Sequence, residues 1–369
     1  MYNNRSNNVY GYKNARLHKQ RRTIVILCIL ICVISIVCVI VLVSSMMNPE
    51  PSPTGPSQSD STPVSSDTSI VTDPSASDSS QVTEPTALVQ TLTAEERSAA
   101  LDALEQSITT LLDAQSGRYS VFYVNLANNE TLGYHDSSPM VAASSIKIAY
   151  NTYLYKQSAT GAFTLDEIMK YNSAAYPDGD FEAGTGTIQN TANGTEYSLR
   201  DLSSLSIKIS DNCATNMILR YLGGIDTVNE YMTSVSSIVN YRVAVSYTDY
   251  AGAAQSGRHR TSAIDLAMYA KDLYDLYQAS PDVYAALIED MSTSEFQWGV
   301  PAGVPDTYRV AHKVGFNPSY GTNNDVGIVF AQEDYVLCVM TESGNGTSAQ
   351  NLIGQVSLLV SDYITACYS

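Results

Sequence analysis

Ala143-Ser144-Ser145-Ile146-Lys147 places a serine three residues ahead of a lysine where a helical stretch begins. Residues at i and i+3 share a helix face, so this spacing predicts that the Lys147 amine reaches the Ser144 hydroxyl. A serine hydroxyl is a weak nucleophile near neutral pH and needs an adjacent base. A lysine in a partly desolvated pocket can shed its proton and serve as that base. At a helix N-terminus Ser144 would also have free backbone N–H groups beside it, suited to a developing oxyanion. Ser145 lies two residues from Lys147 and is expected to point elsewhere. No other lysine of the chain follows a serine at this spacing. Alone, Ser-x-x-Lys usually marks a solvated helix face, and its meaning rests on what else the chain carries.

Two further signals follow in order: Ser210-Asp211-Asn212 and Lys313-Val314-Gly315. By itself the first is usually a helix cap or an Asx-turn, and the second a strand end. Together the three resemble the S-x-x-K, S-D-N and K-T-G motifs of the serine β-lactamase and penicillin-binding superfamily. The flanks sharpen the resemblance to class A β-lactamases and the serine hydrolases near them. Ser210-Asp211-Asn212 continues as Cys213-Ala214-Thr215-Asn216, like the family's S-D-N-T-A-x-N. The third motif sits in Val310-Ala311-His312-Lys313-Val314-Gly315 and is followed by Tyr320-Gly321-Thr322-Asn323-Asn324-Asp325. The resemblance runs from about Thr93 to the C-terminus.

That resemblance implies a nucleophile at Ser144 with Lys147 as its base, and an oxyanion hole from the backbone N–H groups of Ser144 and Phe316. It implies that Ser210 relays a proton to the leaving amine with help from Lys313. Asn212 would position Lys147 and the substrate amide, Gly315 and Phe316 would line the substrate, and Lys313 would attract an anionic group. Lysine, serine and backbone dipoles cover every role, so no metal or organic cofactor is expected.

Two positions depart from the pattern. Class A enzymes activate the deacylating water with a loop glutamate between the second and third motifs, in an E-x-x-L-N pattern that is absent here. Between Tyr231 and Ile264 the only acid is Asp249, the candidate replacement, although an exposed loop aspartate is the plainer reading. Val314 stands where the family has Thr or Ser, and the missing hydroxyl removes about 1 kcal/mol of substrate binding. The reading is a serine hydrolase that opens a β-lactam amide through a Ser144 acyl-enzyme. Its rivals are a D,D-peptidase acting on peptidoglycan stem peptides, an esterase or amidase, and a non-catalytic wall-binding module.

Outward from the motifs, the pattern predicts an α+β fold of the β-lactamase/transpeptidase type: an antiparallel sheet flanked by helices, with an all-helical subdomain. Thr93 and Glu96 have capping-box spacing ahead of a helix with Leu101, Leu104, Ile108, Leu111 and Leu112 in register. Tyr119–Leu126 and Thr131–Tyr134 read as a strand pair. Ser198–Leu222 is helical with a break at Ser210-Asp211-Asn212 and a Gly223-Gly224 stop. Helices are expected over Ile225–Met232, Thr261–Tyr277 and Pro281–Met291. Strands are expected over Tyr308–Lys313, Asp325–Ala331 and Tyr335–Met340, then a helix over Thr347–Ala366. Leu165–Tyr197 is polar and glycine-rich, with Gly184-Thr185-Gly186 at a turn.

The chain has 369 residues, room for about two or three domains. Its net charge is −17, yet residues 1–22 hold six basic side chains and no acid, which leaves 14 basic against 37 acidic beyond them. A body this acidic is a poor nucleic-acid binder. Thr23–Val43 is an apolar run long enough to cross a bilayer, and its basic N-terminal flank puts residues 1–22 in the cytoplasm. A cleaved signal peptide is the competing reading, but the run exceeds a signal core and Ser44-Ser45-Met46-Met47 matches a cleavage site poorly. The organisation expected is a cytoplasmic tail (1–22), one transmembrane helix (23–45), a disordered Pro/Ser/Thr-rich linker (46–92), and an extracytoplasmic hydrolase domain (93–369), monomeric, facing a small β-lactam or stem-peptide substrate. Cys213, Cys338 and Cys367 lack metal-like spacing and read as free buried thiols, with a Cys338–Cys367 bridge as the alternative.

Overall fold

The computed structural model describes residues 90–368. The expected tail, transmembrane span and most of the linker lie outside the described residues, and among those described no helix is long and apolar enough to cross a membrane. The domain opens with α1 (Ala94–Asp113), which carries the expected capping box: the Thr93 hydroxyl accepts from Glu96 N–H and the Glu96 carboxylate accepts from Thr93 N–H.

A five-stranded antiparallel sheet follows, built from β1 (Arg118–Asn125), β2 (Thr131–Tyr134), β9 (Arg309–Asn317), β10 (Thr322–Phe330) and β11 (Tyr335–Glu342). The spatial order is β2-β1-β11-β10-β9. The two termini of the domain therefore meet in the sheet, with β1 paired to β11 from Arg118↔Glu342 to Asn125↔Tyr335. β11 is buried at every position. Its side chains alternate between two cores: Tyr335, Leu337 and Val339 pack with Ile108 of α1 and with Ile353, Val356 and Val360 of the C-terminal helix α8 (Gly346–Ala366). Val336, Cys338 and Met340 pack on the other face. There they meet Leu266, Ala267 and Ala270 of α6 (Ala263–Ala279) and Ile148 of α2 (Lys147–Ala159). Helices on both sheet faces explain why these strands read as apolar runs rather than as alternating ones.

A third core belongs to the helical part. Leu199 and Leu202 of α3 (Leu199–Lys208) and Ala214, Met217 and Ile218 of α4 (Asn212–Tyr221) close on Leu154 of α2. Helices α5 (Ile225–Val235) and α7 (Pro281–Ser292) complete the array. This is the α+β architecture with a helical subdomain that the pattern predicts.

Several details differ from the sequence expectation. The helix predicted from Ser144 starts as a 3-10 turn over Ala143–Ile146, and the α-helix proper begins at Lys147. β9 does not end at Lys313 but runs on to Asn317, so the third motif and Phe316 are strand residues. The glycine-rich stretch holds a short pair, β4 (Ile168–Lys170) with β5 (Glu196–Ser198), too brief for a period to show. A hairpin of β6 (Val245–Thr248) and β7 (Ala254–Gly257) occupies the loop around Asp249. Cys213, Cys338 and Cys367 are free and buried, so the alternative bridge is not formed.

Candidate active site

Ser144 sits on the 3-10 turn that joins β3 (Met140–Val141) to α2. β3 is pinned by pairing with β8 (Arg260–Thr261) and by the buried Glu342 carboxylate, which accepts from Val141 N–H at 2.8 Å and Arg260 Nη1 at 3.0 Å. The carbonyl of Ala142 accepts from Ser145 Oγ at 2.6 Å and from Asn324 Nδ2 at 3.1 Å. Ser145 is therefore structural and points away from the cleft, as expected. Ala143 holds φ +46°, a left-handed conformation that costs a residue with a Cβ about 1–2 kcal/mol. The surrounding hydrogen bonds hold this strained residue immediately before the nucleophile candidate.

The edge strand β9 runs along this turn. At Gly315 an added Cβ would lie 2.5 Å from Ser145 N and 3.0 Å from Ser144 N. Glycine is needed here for space, since its backbone is not in the left-handed region. The close approach brings the third motif against the first.

The second motif sits between α3 and α4. Ser210 has φ +57°, and Asp211 caps α4 by accepting from Ala214 N–H at 2.9 Å. Its other oxygen accepts from Thr187 N–H at 2.6 Å and Ile188 N–H at 2.9 Å, so the buried carboxylate is consumed by backbone amides. Asn212 then projects Oδ1 toward Lys147.

The lysine partners differ from the sequence expectation. Lys147 Nζ donates to Ser210 O at 2.7 Å, Asn212 Oδ1 at 2.9 Å and Ser210 Oγ at 3.3 Å. Its amine is thus spent on the second motif rather than on Ser144, whose side chain has no hydrogen-bond partner among the described residues. Lys313 Nζ donates to Ser210 Oγ at 3.1 Å and Val314 O at 2.9 Å. One hydroxyl therefore bridges two buried lysines. Burial holds the Lys147 amine down to about 7, against the opposing pull of Asp211, Glu182 and Cys213. Lys313 is pushed well below the ordinary lysine value by burial and then by the Lys147 charge, with Asp325 opposing. Two ammonium groups cannot share so dry a space, so the pair favours having a neutral amine near neutral pH. Ser210 can donate its proton to whichever amine is neutral while accepting from the other.

Ser144, Lys147, Asn212 and Phe316 line a cleft of about 1040 Å³. Ser210 and Lys313 are buried behind its wall, joined to it through Lys147. Arg242, Arg258 and Arg260 bring positive charge to the cleft, and Tyr150, Tyr241, Tyr247 and Tyr320 bring aromatic surface. Asp249 is not among the lining residues. It sits at the β6–β7 turn, where its carboxylate accepts from Ala251 N–H, Ala253 N–H and Gln255 Nε2. These amides lower its pKa, which suits a turn cap and not a base. A smaller pocket of about 370 Å³ near Asp113, Arg118 and His135 carries none of the motif residues.

Sequence reasoning missed Glu182. It lines the cleft and accepts from Asn216 Nδ2 at 3.0 Å. Its loop has no periodic pattern, and only Asn216, the last asparagine of the extended second motif, hinted at a partner.

The model of the β-lactamase enzyme family matches residues 103–364. The chain is 26% identical to the β-lactamase OXY-2 of Klebsiella oxytoca over 253 residues, 66% of this chain and 82% of that protein. It is 28% identical to a β-lactamase of Proteus vulgaris over 246 residues, 65% of this chain and 86% of the relative. Among solved structures it resembles a mutant of PBP-A described as an acyl-enzyme complex with penicillin G. That likeness has a TM-score of 0.62 at 26% identity and covers 72% of this chain and 97% of the other.

Proposed function

The chain belongs to the β-lactamase enzyme family, and from that premise we propose that it is a serine hydrolase which opens a β-lactam amide through an acyl-enzyme on Ser144. The observation that carries the reading is the site itself: Ser144 on a cleft wall with no side-chain partner among the described residues, the lowered Lys147 amine on the same wall, and Ser210 linking it to Lys313. Substrate entry would let Lys147 turn to Ser144 and take its proton as Oγ attacks the carbonyl, since such hydrogen bonds commonly tighten only in the complex. Backbone N–H groups of Ser144 and Phe316 would hold the oxyanion. Ser210 would pass the proton to the leaving nitrogen. The sequence further supports a domain held outside the cytoplasm by a span at residues 23–45, and N-terminal analysis of the membrane-extracted protein would expose a cleaved signal peptide instead.

A D,D-peptidase-like activity on peptidoglycan is the second reading. It is favoured by Val314 in the third motif and by the position of Asp249 away from the cleft. The test is intact mass of the full chain over time after mixing with benzylpenicillin. An adduct that forms and disappears supports a β-lactamase, and one that persists supports the peptidase. Labelling that survives Ser144→Ala would refute Ser144 as the nucleophile.

A further inference from the structure

We propose that Glu182 is the general base that activates the water releasing the acyl group from Ser144. The inference rests on the acyl-enzyme reading above. Hydrolysis of an acyl-enzyme needs a group to take a proton from the attacking water, and Glu182 is the one carboxylate among the cleft's lining residues. Asn216, itself buried, fixes Oε2 at 3.0 Å, whereas Oε1 has no hydrogen-bond partner among the described residues. A carboxylate held by one oxygen and free at the other is arranged to accept a proton.

The backbone under Glu182 is fastened to the second motif. Its N–H donates to Cys213 Sγ at 3.5 Å, and Cys213 Sγ returns a bond to its carbonyl at 3.7 Å. Three residues on, Thr185 Oγ1 donates to Ser210 O at 2.6 Å, the same carbonyl that holds Lys147. The loop and the catalytic lysine therefore share one anchor. The charge of Glu182 reaches the Lys147 amine and stabilises its protonated form. It also acts on Cys213, Tyr176 and Tyr241, while Asp180 and Arg242 are the other charged groups around this end of the cleft.

In the step proposed, the water oxygen bonds to the acyl carbonyl carbon as Glu182 Oε1 takes one water proton. The tetrahedral intermediate then collapses, the bond from carbon to Ser144 Oγ breaks, and the proton returns from Glu182 through the Lys147 amine to Oγ. Water is consumed, the acid is released, and the enzyme is regenerated.

The experiment follows the benzylpenicillin adduct on the full chain by intact mass in wild type, Glu182→Gln and Glu182→Asp. Glu182→Gln is expected to acylate at least as fast as wild type, because Lys147 loses a charge that stabilises its protonated form, but to shed the adduct about 100-fold more slowly, with Glu182→Asp in between. A purely structural role for Glu182 would slow acylation together with release, whereas loss of the base slows release alone. Release at the wild-type rate from Glu182→Gln overturns the proposal, as does a wild-type adduct as persistent as the variant's. A wild-type chain that penicillin never labels instead fails the acyl-enzyme reading, and the proposal falls with it.

Discussion

Lys147 is the residue on which the proposed chemistry turns. Its amine is buried and surrounded by two oxygens of Ser210 and one of Asn212, and burial holds its pKa at about 7 against an ordinary value of 10.5. As a base it must be neutral, so acylation by penicillin is expected to rise with pH through about 7. The same shift has a stability consequence of definite sign. Between the folded and unfolded values the unfolded chain binds more protons, so stability rises with pH across that window and is lowest below about 7. Lys147→Met is expected to reduce this rise in Tm, with buried Lys313 supplying what remains, while cutting the acylation rate about 100-fold or more. Thermal melts from below about 7 up to the ordinary lysine value of 10.5, alongside the labelling rates, check both halves. A variant that acylated normally would show that the lysine does not act as the base.

At the scale of elements, the site depends on an edge strand lying against a 3-10 turn. β9 approaches the turn at Gly315 so closely that a methyl group there would press on the amides of Ser144 and Ser145. Gly315→Ala is therefore expected to push the strand from the turn and to lower the acylation rate about 100-fold, because small misplacements of reacting groups are costly. The fold should survive, since the pairing of β9 with β10 runs from Arg309 to Asn317. Stopped-flow labelling beside a urea melt separates the two effects, and unchanged acylation would show that the turn tolerates the displacement. The turn's own strain at Ala143 is held by β3, β8 and the carboxylate of Glu342. The elements remote from the chemistry thus set the geometry of Ser144.

Across the whole molecule, charge is distributed against the average. Beyond residue 22 the chain has 14 basic and 37 acidic side chains, yet its cleft is lined by Arg242, Arg258 and Arg260 against Glu182, with Arg242 and Arg260 paired to Asp226 and Glu342 and Arg258 adding a further charge. A basic cleft in an acidic body focuses anions at the cleft mouth. The second-order acylation constant for an anionic penicillin is expected to fall about threefold as salt is raised to about 0.5 M. A rise with salt would mean that repulsion from the acidic body outweighs attraction by the cleft.

Much of this was legible in the chain. Three motifs in order marked Ser144, Lys147, Ser210, Asn212 and Lys313, and the structure gathers all five at one cleft and the wall behind it. The capping box at Thr93 and the apolar runs of the last three strands announced their elements, because capping and burial act over a few residues. What stayed hidden depended on contacts between distant segments. The true partners of Lys147 lie 63 and 65 positions away, and Glu182 meets Asn216 across 34. Asp249 looked eligible by position in the chain, but the β6–β7 turn claims its carboxylate. The sequence by itself determined the motif side chains and the main helices and strands, since periodicity and capping are local, but not the short β4–β5 and β6–β7 pairs. Only the tertiary structure decided which carboxylate faces the cleft and which oxygens hold the lysine, because those depend on how loops close between elements.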